Sequence, residues 1–152
     1  MTTLALILLL TGNPPTPPQV AFAEAVDAQP AEWRPLLIAL AWSESDFNHL
    51  AVSSAGACGI LQLMPRWAGA TCETLQTDIP YAVDAAVEEL TKWRRNCGRE
   101  YMVAAWNRGY GCCLGGWYHD KRKDSQPFNC TQRALDFQGK VWRRVRYIKR
   151  RL

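Results

Sequence analysis

The sequence predicts a mainly α-helical fold built as one domain. Three observations carry this. Apolar residues recur at the i, i+3, i+4 spacing of helices, and no segment alternates with the two-residue period of a half-buried strand. The length of 152 residues also suits a single domain with no internal repeat. Apolar residues make up 48% and charged residues 21%, which excludes a disordered polyelectrolyte, a collagen-like repeat and a multi-span membrane protein.

Each element has its own signal. The apolar run at residues 4–10 is too short to cross a bilayer of about 30 Å as a helix. With Ala21-Phe22-Ala23 behind it, it fits an export signal, although no Lys or Arg precedes it. An apolar lead-in that packs on the domain is the other reading. Residues 1–17 are therefore set apart as a possible export segment, 18–139 as the domain and 140–152 as a basic tail. Pro14-Pro15-Thr16-Pro17-Pro18 reads as a stiff spacer that ends where a helix can start, and Val20, Ala23 and Val26 continue at helical spacing.

Residues 35–44 are apolar on every side, the pattern of a helix buried in the centre of a domain, and polar residues return abruptly at Ser43, Glu44, Ser45 and Asp46. Residues 53–65 place small residues before a short apolar turn that Pro65 stops. Asp78 can cap a helix with Pro80 in its first turn, and Val83, Ala86, Val87, Leu90 and Trp93 form its stripe. That helix is expected to end near Gly98, with Lys92, Arg94 and Arg95 against its dipole. A short helix fits residues 100–107. Residues 109–130 read as a long ordered loop, and a final helix from Gln132 is expected to be interrupted at Gly139.

Six cysteines (Cys58, Cys72, Cys97, Cys112, Cys113 and Cys130) contain no C-x-x-C pair, which argues against a zinc ribbon or a thioredoxin-type motif. Their even number favours up to three disulfides, with fifteen pairings open; reduced, buried thiols are the alternative. The net charge of +4 is concentrated in residues 140–152, which hold seven Lys/Arg and no acid. The rest of the chain has 11 Lys/Arg against 14 Asp/Glu and is weakly acidic. Within the tail, Val141, Val145, Ile148 and Leu152 share one helical stripe that can dock on the core while the cations face outward. Binding of anionic envelope polymers or a membrane surface belongs to this tail, and nucleic-acid binding lacks a recognised module.

Glu44 is the residue with chemical interest. At the end of an all-apolar helix it loses water on one side, which is expected to raise its pKa and let it hold a proton near neutral pH. On position alone, a carboxylate that faces solvent is the commoner fate. The flanking residues shift the balance towards chemistry: Glu44-Ser45-x-Phe47, Ala51-Val52-Ser53, Ala55-Gly56-Ala57 and Gly59-Ile60-Leu61-Gln62-Leu63-Met64-Pro65, followed by Ala105-Trp106-Asn107-x-Gly109.

These motifs resemble, in order and spacing, those of the soluble lytic transglycosylases of glycoside hydrolase family 23, related to goose-type lysozyme. The resemblance covers roughly residues 19–110, with Trp106 where the family usually has Tyr. It implies a lysozyme-like domain with a glycan-binding cleft, cleaving the β-1,4 bond between N-acetylmuramic acid and N-acetylglucosamine to leave 1,6-anhydro ends. By the same resemblance Glu44 is the catalytic acid and then base, and Ser45, Gln62, Asn107 and Trp106 bind the glycan. For Ser45 the structural alternative is to satisfy the helix end; for Gln62 and Asn107 it is a cap or a buried network; for Trp106 it is a core aromatic. Tyr147 is a candidate for the family's late Tyr, with Val141 and Trp142 in comparable register.

The resemblance implies no metal and no cofactor, peptidoglycan strands as the partner, and an extracytoplasmic place of action: periplasmic, secreted or virion-associated. A monomer is the expectation, with the oligomeric state left open by the sequence. Its nearest rivals are a hydrolase of the same bond and a non-catalytic peptidoglycan-binding domain. Asp46 lies too near Glu44 to serve as the second carboxylate of a paired glycosidase. Cys112 and Cys113 lie near His119 in sequence, but adjacent cysteines in a Cys-rich loop are more often structural. A Ser-His-Asp triad lacks G-x-S-x-G and a metal hydrolase lacks H-E-x-x-H.

Overall fold

The fully buried run from Pro35 to Ala41 in α3 (Arg34–Glu44) forms the centre of the larger of two compact units in the computed structural model, which describes residues 1–109, 112 and 131–152. One unit comprises Met1–Val87 with Trp142–Leu152, the other Glu88–Val141. The fold is mainly α. Among the described residues there is no strand, only isolated antiparallel bridges from Cys58 to Val52 and to Leu63.

In the first unit, α1 (Thr3–Thr11) is capped by the Thr2 hydroxyl, which accepts the Ala5 N–H at 3.2 Å. It turns its buried Leu6 and Ile7 inward, and the Thr3 hydroxyl donates to the Asp27 carboxylate at the end of α2 (Pro17–Asp27). Pro17 opens α2 because it suits the first helical turn and gives up only an N–H that has no partner there. Phe22, Ala23 and Val26 form its buried stripe, and Phe22 meets the ring of Phe47 edge-on with centroids 6.2 Å apart. Burial of Phe22 and of Val26 contributes roughly 1.5–3 kcal/mol each by leaving water, and the Ala23 methyl less.

Two short helices, α4 (Pro65–Ala68) and α5 (Cys72–Thr77), follow the motif turn. Pro65 does stop the apolar turn, but it also starts α4. Four- and six-residue helices carry too few turns to show a period in the sequence. Thr71 caps α5 by accepting the Thr74 N–H at 3.1 Å, and the Cys58–Cys72 disulfide ties α5 to the motif turn.

Asp78 caps α6 (Ile79–Arg108) as expected, its carboxylate accepting the Tyr81 N–H at 3.1 Å. Ala82, Val83, Ala86, Leu90, Trp93 and Cys97 are buried along one stripe. The expected stop near Gly98 is a kink. Gly98 has φ 69° and ψ 165°, outside the helical region, and the helix resumes directly after it. The two helices expected from sequence are both present, and they meet at this positive-φ glycine.

The last helix, α7 (Gln132–Lys149), runs through Gly139 without the expected interruption. A glycine inside a helix costs only about 1 kcal/mol relative to alanine, which the buried residues Ala134, Val141, Val145 and Ile148 on this helix outweigh. Within the second unit the Gln138 side chain accepts the Ala104 N–H at 2.9 Å, joining α7 to the second half of α6. Cys97 and Cys112 are disulfide-bonded too, so the oxidised reading holds for every described cysteine. The loop expected over residues 109–130, with Cys113, His119 and Cys130, lies outside the described residues except for Gly109 and Cys112.

Candidate functional site

Glu44 is the last residue of α3 and is half-buried. Upstream, α3 is sealed in the core from Pro35 to Ala41; downstream, the chain breaks sharply. Ser45 caps the helix with its N–H on the Ala41 carbonyl at 3.2 Å, then Asp46 and Phe47 take φ of 53° and 61°. Positive φ is uncommon for residues other than glycine, costs of order 1–3 kcal/mol each, and persists where other contacts offset that cost. Here the Phe47 ring is buried and packed edge-on against Phe22, a contact that offsets such a cost. Gln62 is the third such residue, with φ 51°. All three positive-φ residues other than glycine among the described residues therefore fall in the two segments that carry the motif.

The segments are tied to each other by Ser45. Its Oγ lies 2.7 Å from the Ile60 carbonyl oxygen and 3.2 Å from that of Ala41, and its single proton goes to the shorter contact. This is the helix-end role, and it leaves the hydroxyl able to accept but not donate to a ligand. Gln62 is engaged similarly: its amide NH2 donates to Ala51 O at 2.9 Å and Gly59 O at 3.0 Å, closing the loop between them. Its amide oxygen is the group it can offer to a ligand. Gly59, with φ 82°, is packed so closely on α5 that a Cβ there would stand 2.4 Å from the Leu75 carbonyl oxygen.

Tyr147 lies on the C-terminal part of α7, partly exposed, with its ring 6.1 Å from that of Trp42. Arg144 adds a contact that sequence reasoning does not single out. Its guanidinium stacks over Trp42 at 3.9 Å from the ring centroid and donates from Nη1 to Ser43 Oγ at 3.0 Å. Burial lowers the Arg144 pKa and the nearby Asp46 charge raises it; a guanidinium stays cationic in either case. The available signal is positional: residue 144 falls three after Val141 and four before Ile148, on the flank of the buried stripe.

Glu44, Ser45, Gln62 and Tyr147 belong to the unit of Met1–Val87 and Trp142–Leu152. Trp106 and Asn107 belong to the other, near the end of α6, where Trp106 is half-buried and Asn107 exposed. Among the described residues no group of three or more His, Cys, Asp or Glu side chains is placed to hold a metal ion.

The transglycosylase SLT domain family matches residues 22–128. The chain belongs to that family. No curated protein and no solved structure matches it. Members of the SLT family are lytic transglycosylases, so the protein is a peptidoglycan-cleaving enzyme with a lysozyme-like, mainly helical fold. Acting on peptidoglycan, SLT enzymes work outside the cytoplasm, a setting that suits the disulfides. Among the described residues no helix is long and apolar enough to cross a membrane.

Proposed function

We propose that this SLT enzyme cleaves the β-1,4 bond between N-acetylmuramic acid and N-acetylglucosamine with Glu44 as its single acid/base. The observation that carries the reading is the setting of Glu44: a half-buried carboxylate ending a helix that is buried from Pro35 to Ala41, followed by a residue bonded to the Ile60 carbonyl and by two positive-φ residues. Such a setting takes water away from one side of the carboxyl group.

Protonated Glu44 gives its proton to the bridging oxygen as the bond to the muramic anomeric carbon breaks through an oxocarbenium-like state. The resulting carboxylate takes the proton of the muramic acid 6-hydroxyl. That oxygen then bonds to the anomeric carbon and leaves a 1,6-anhydro end. The substrate's own hydroxyl replaces the second carboxylate of a paired glycosidase.

Ser45 and Gln62 serve the glycan as acceptors, Ser45 for an acetamido N–H and Gln62 for a sugar hydroxyl, since their donor protons are engaged. Asn107 hydrogen-bonds the sugar's polar groups, Trp106 and Tyr147 offer aromatic surface to it, and the exposed cations of α7 attract anionic envelope polymers.

Digestion of peptidoglycan sacculi followed by mass spectrometry tests this reading. Anhydro-muramoyl products, one water lighter than hydrolytic products, are expected. Reducing-end products alone make the enzyme a hydrolase of the same bond, and an absence of products makes it a binding domain.

A further inference from the structure

We infer that Arg144 is a positioning residue for Glu44, its guanidinium holding the two residues that immediately precede the carboxylate, Trp42 and Ser43. The inference rests on the proposed acid/base role of Glu44.

The last turn of a helix has carbonyls without intrahelical partners and no following turn to hold it. In α3 this end carries Glu44, so its position depends on contacts from outside the helix. On the far side of Glu44 the Ser45–Ile60 bond supplies one at 2.7 Å. On the near side Arg144 supplies two: the stack on Trp42 at 3.9 Å and the hydrogen bond to Ser43 Oγ at 3.0 Å. Making both at once needs a planar group that can stack by its face and donate from its edge, which arginine has and lysine lacks. Trp42 is also met by Tyr147, and Arg151 stacks over Tyr147 at 3.4 Å from its centroid. Arg144, Trp42, Tyr147 and Arg151 thus form a row, two aromatic rings between two guanidinium groups, that ties the C-terminal part of the chain to the end of α3.

The basic tail therefore has two kinds of cation. Arg144 and Arg151 are part of the packing, whereas Lys140, Arg143, Arg146, Lys149 and Arg150 are exposed. The consequence for chemistry is geometric. A general acid works only within hydrogen-bond reach of its oxygen, and a displacement of about 1 Å can cost on the order of a hundredfold in rate.

The test compares Arg144→Ala, Arg144→Lys and Ser43→Ala with the wild type and with Glu44→Gln, measuring kcat and KM on soluble glycan strands alongside thermal unfolding. Arg144→Ala is expected to lower kcat about 10- to 100-fold while KM stays within about twofold, because substrate contacts are kept and only the acid is misplaced. Arg144→Lys is expected to recover little of this loss. Ser43→Ala, which removes only a hydroxyl and keeps the fold, is expected to lose several-fold in kcat.

Wild-type kcat in Arg144→Ala or Ser43→Ala, beside an inactive Glu44→Gln, overturns the inference. Full rescue by lysine overturns it as well, since charge alone would then suffice, and so does a loss confined to KM. If Arg144→Ala does not fold, Ser43→Ala decides. An active Glu44→Gln locates the fault in the acid/base reading itself.

Discussion

The Ser45 hydroxyl donates to the Ile60 carbonyl across 2.7 Å, and this single bond joins the residue after Glu44 to the turn that presents Gln62. The Ile60 side chain is fully buried, so little water is at hand to replace the bond. Ser45→Ala is expected to lower stability by about 1–2 kcal/mol in urea unfolding and to reduce turnover with it. Unchanged stability shows that the carbonyl finds another donor.

Gly59 and Gly56 offer a controlled comparison. Both have strongly positive φ, 82° and 87°, but only at Gly59 would a Cβ meet anything, the Leu75 carbonyl oxygen at 2.4 Å. Gly56→Ala is expected to cost about 1–2 kcal/mol from backbone strain alone. Gly59→Ala is expected to cost at least about 2 kcal/mol more, because the turn and α5 must separate. Equal unfolding midpoints for the two variants show that α5 yields freely.

The Cys58–Cys72 disulfide closes a loop of sequence separation 14 around the motif turn. Replacing both cysteines with alanine is expected to lower unfolding free energy by about 3 kcal/mol, chiefly by releasing the unfolded chain. The double variant is preferable to added reductant, which would also reach Cys97 and Cys112. A loss well under 1 kcal/mol in denaturant titration contradicts this.

Asp78 caps the longest helix with its carboxylate on the Tyr81 N–H at 3.1 Å. Asp78→Ala is expected to cost about 1 kcal/mol, and Asp78→Asn or Asp78→Ser to restore most of it. Thermal unfolding of the three variants checks the ranking.

Legibility in the sequence varies with the kind of signal. The buried α3, the Asp78 cap and the α6 stripe each have a local physical cause: an all-apolar run, a capping carboxylate, a 3.6-residue period. The brief α4 and α5 have none, being too short to show a period. Gly98 and Gly139 look alike in sequence, yet Gly98 leaves the helical region and kinks its helix while Gly139 stays within it. At the site, Glu44 stands out by its neighbours. The engagement of the Ser45 proton and the Gln62 amide has no sequence signature, since both depend on carbonyls brought close by folding. Arg144 is one of seven tail cations, and only its contacts with Trp42 and Ser43, a hundred residues away in the chain, set it apart.

The most direct test of the central claim is the release of soluble muropeptides from sacculi by wild-type enzyme and by Glu44→Gln, a change that keeps shape but removes the acid. The account predicts anhydro-ended products from the wild type and a rate lower by about a hundredfold or more in the variant. A Glu44→Gln enzyme that releases the same products at a comparable rate contradicts it.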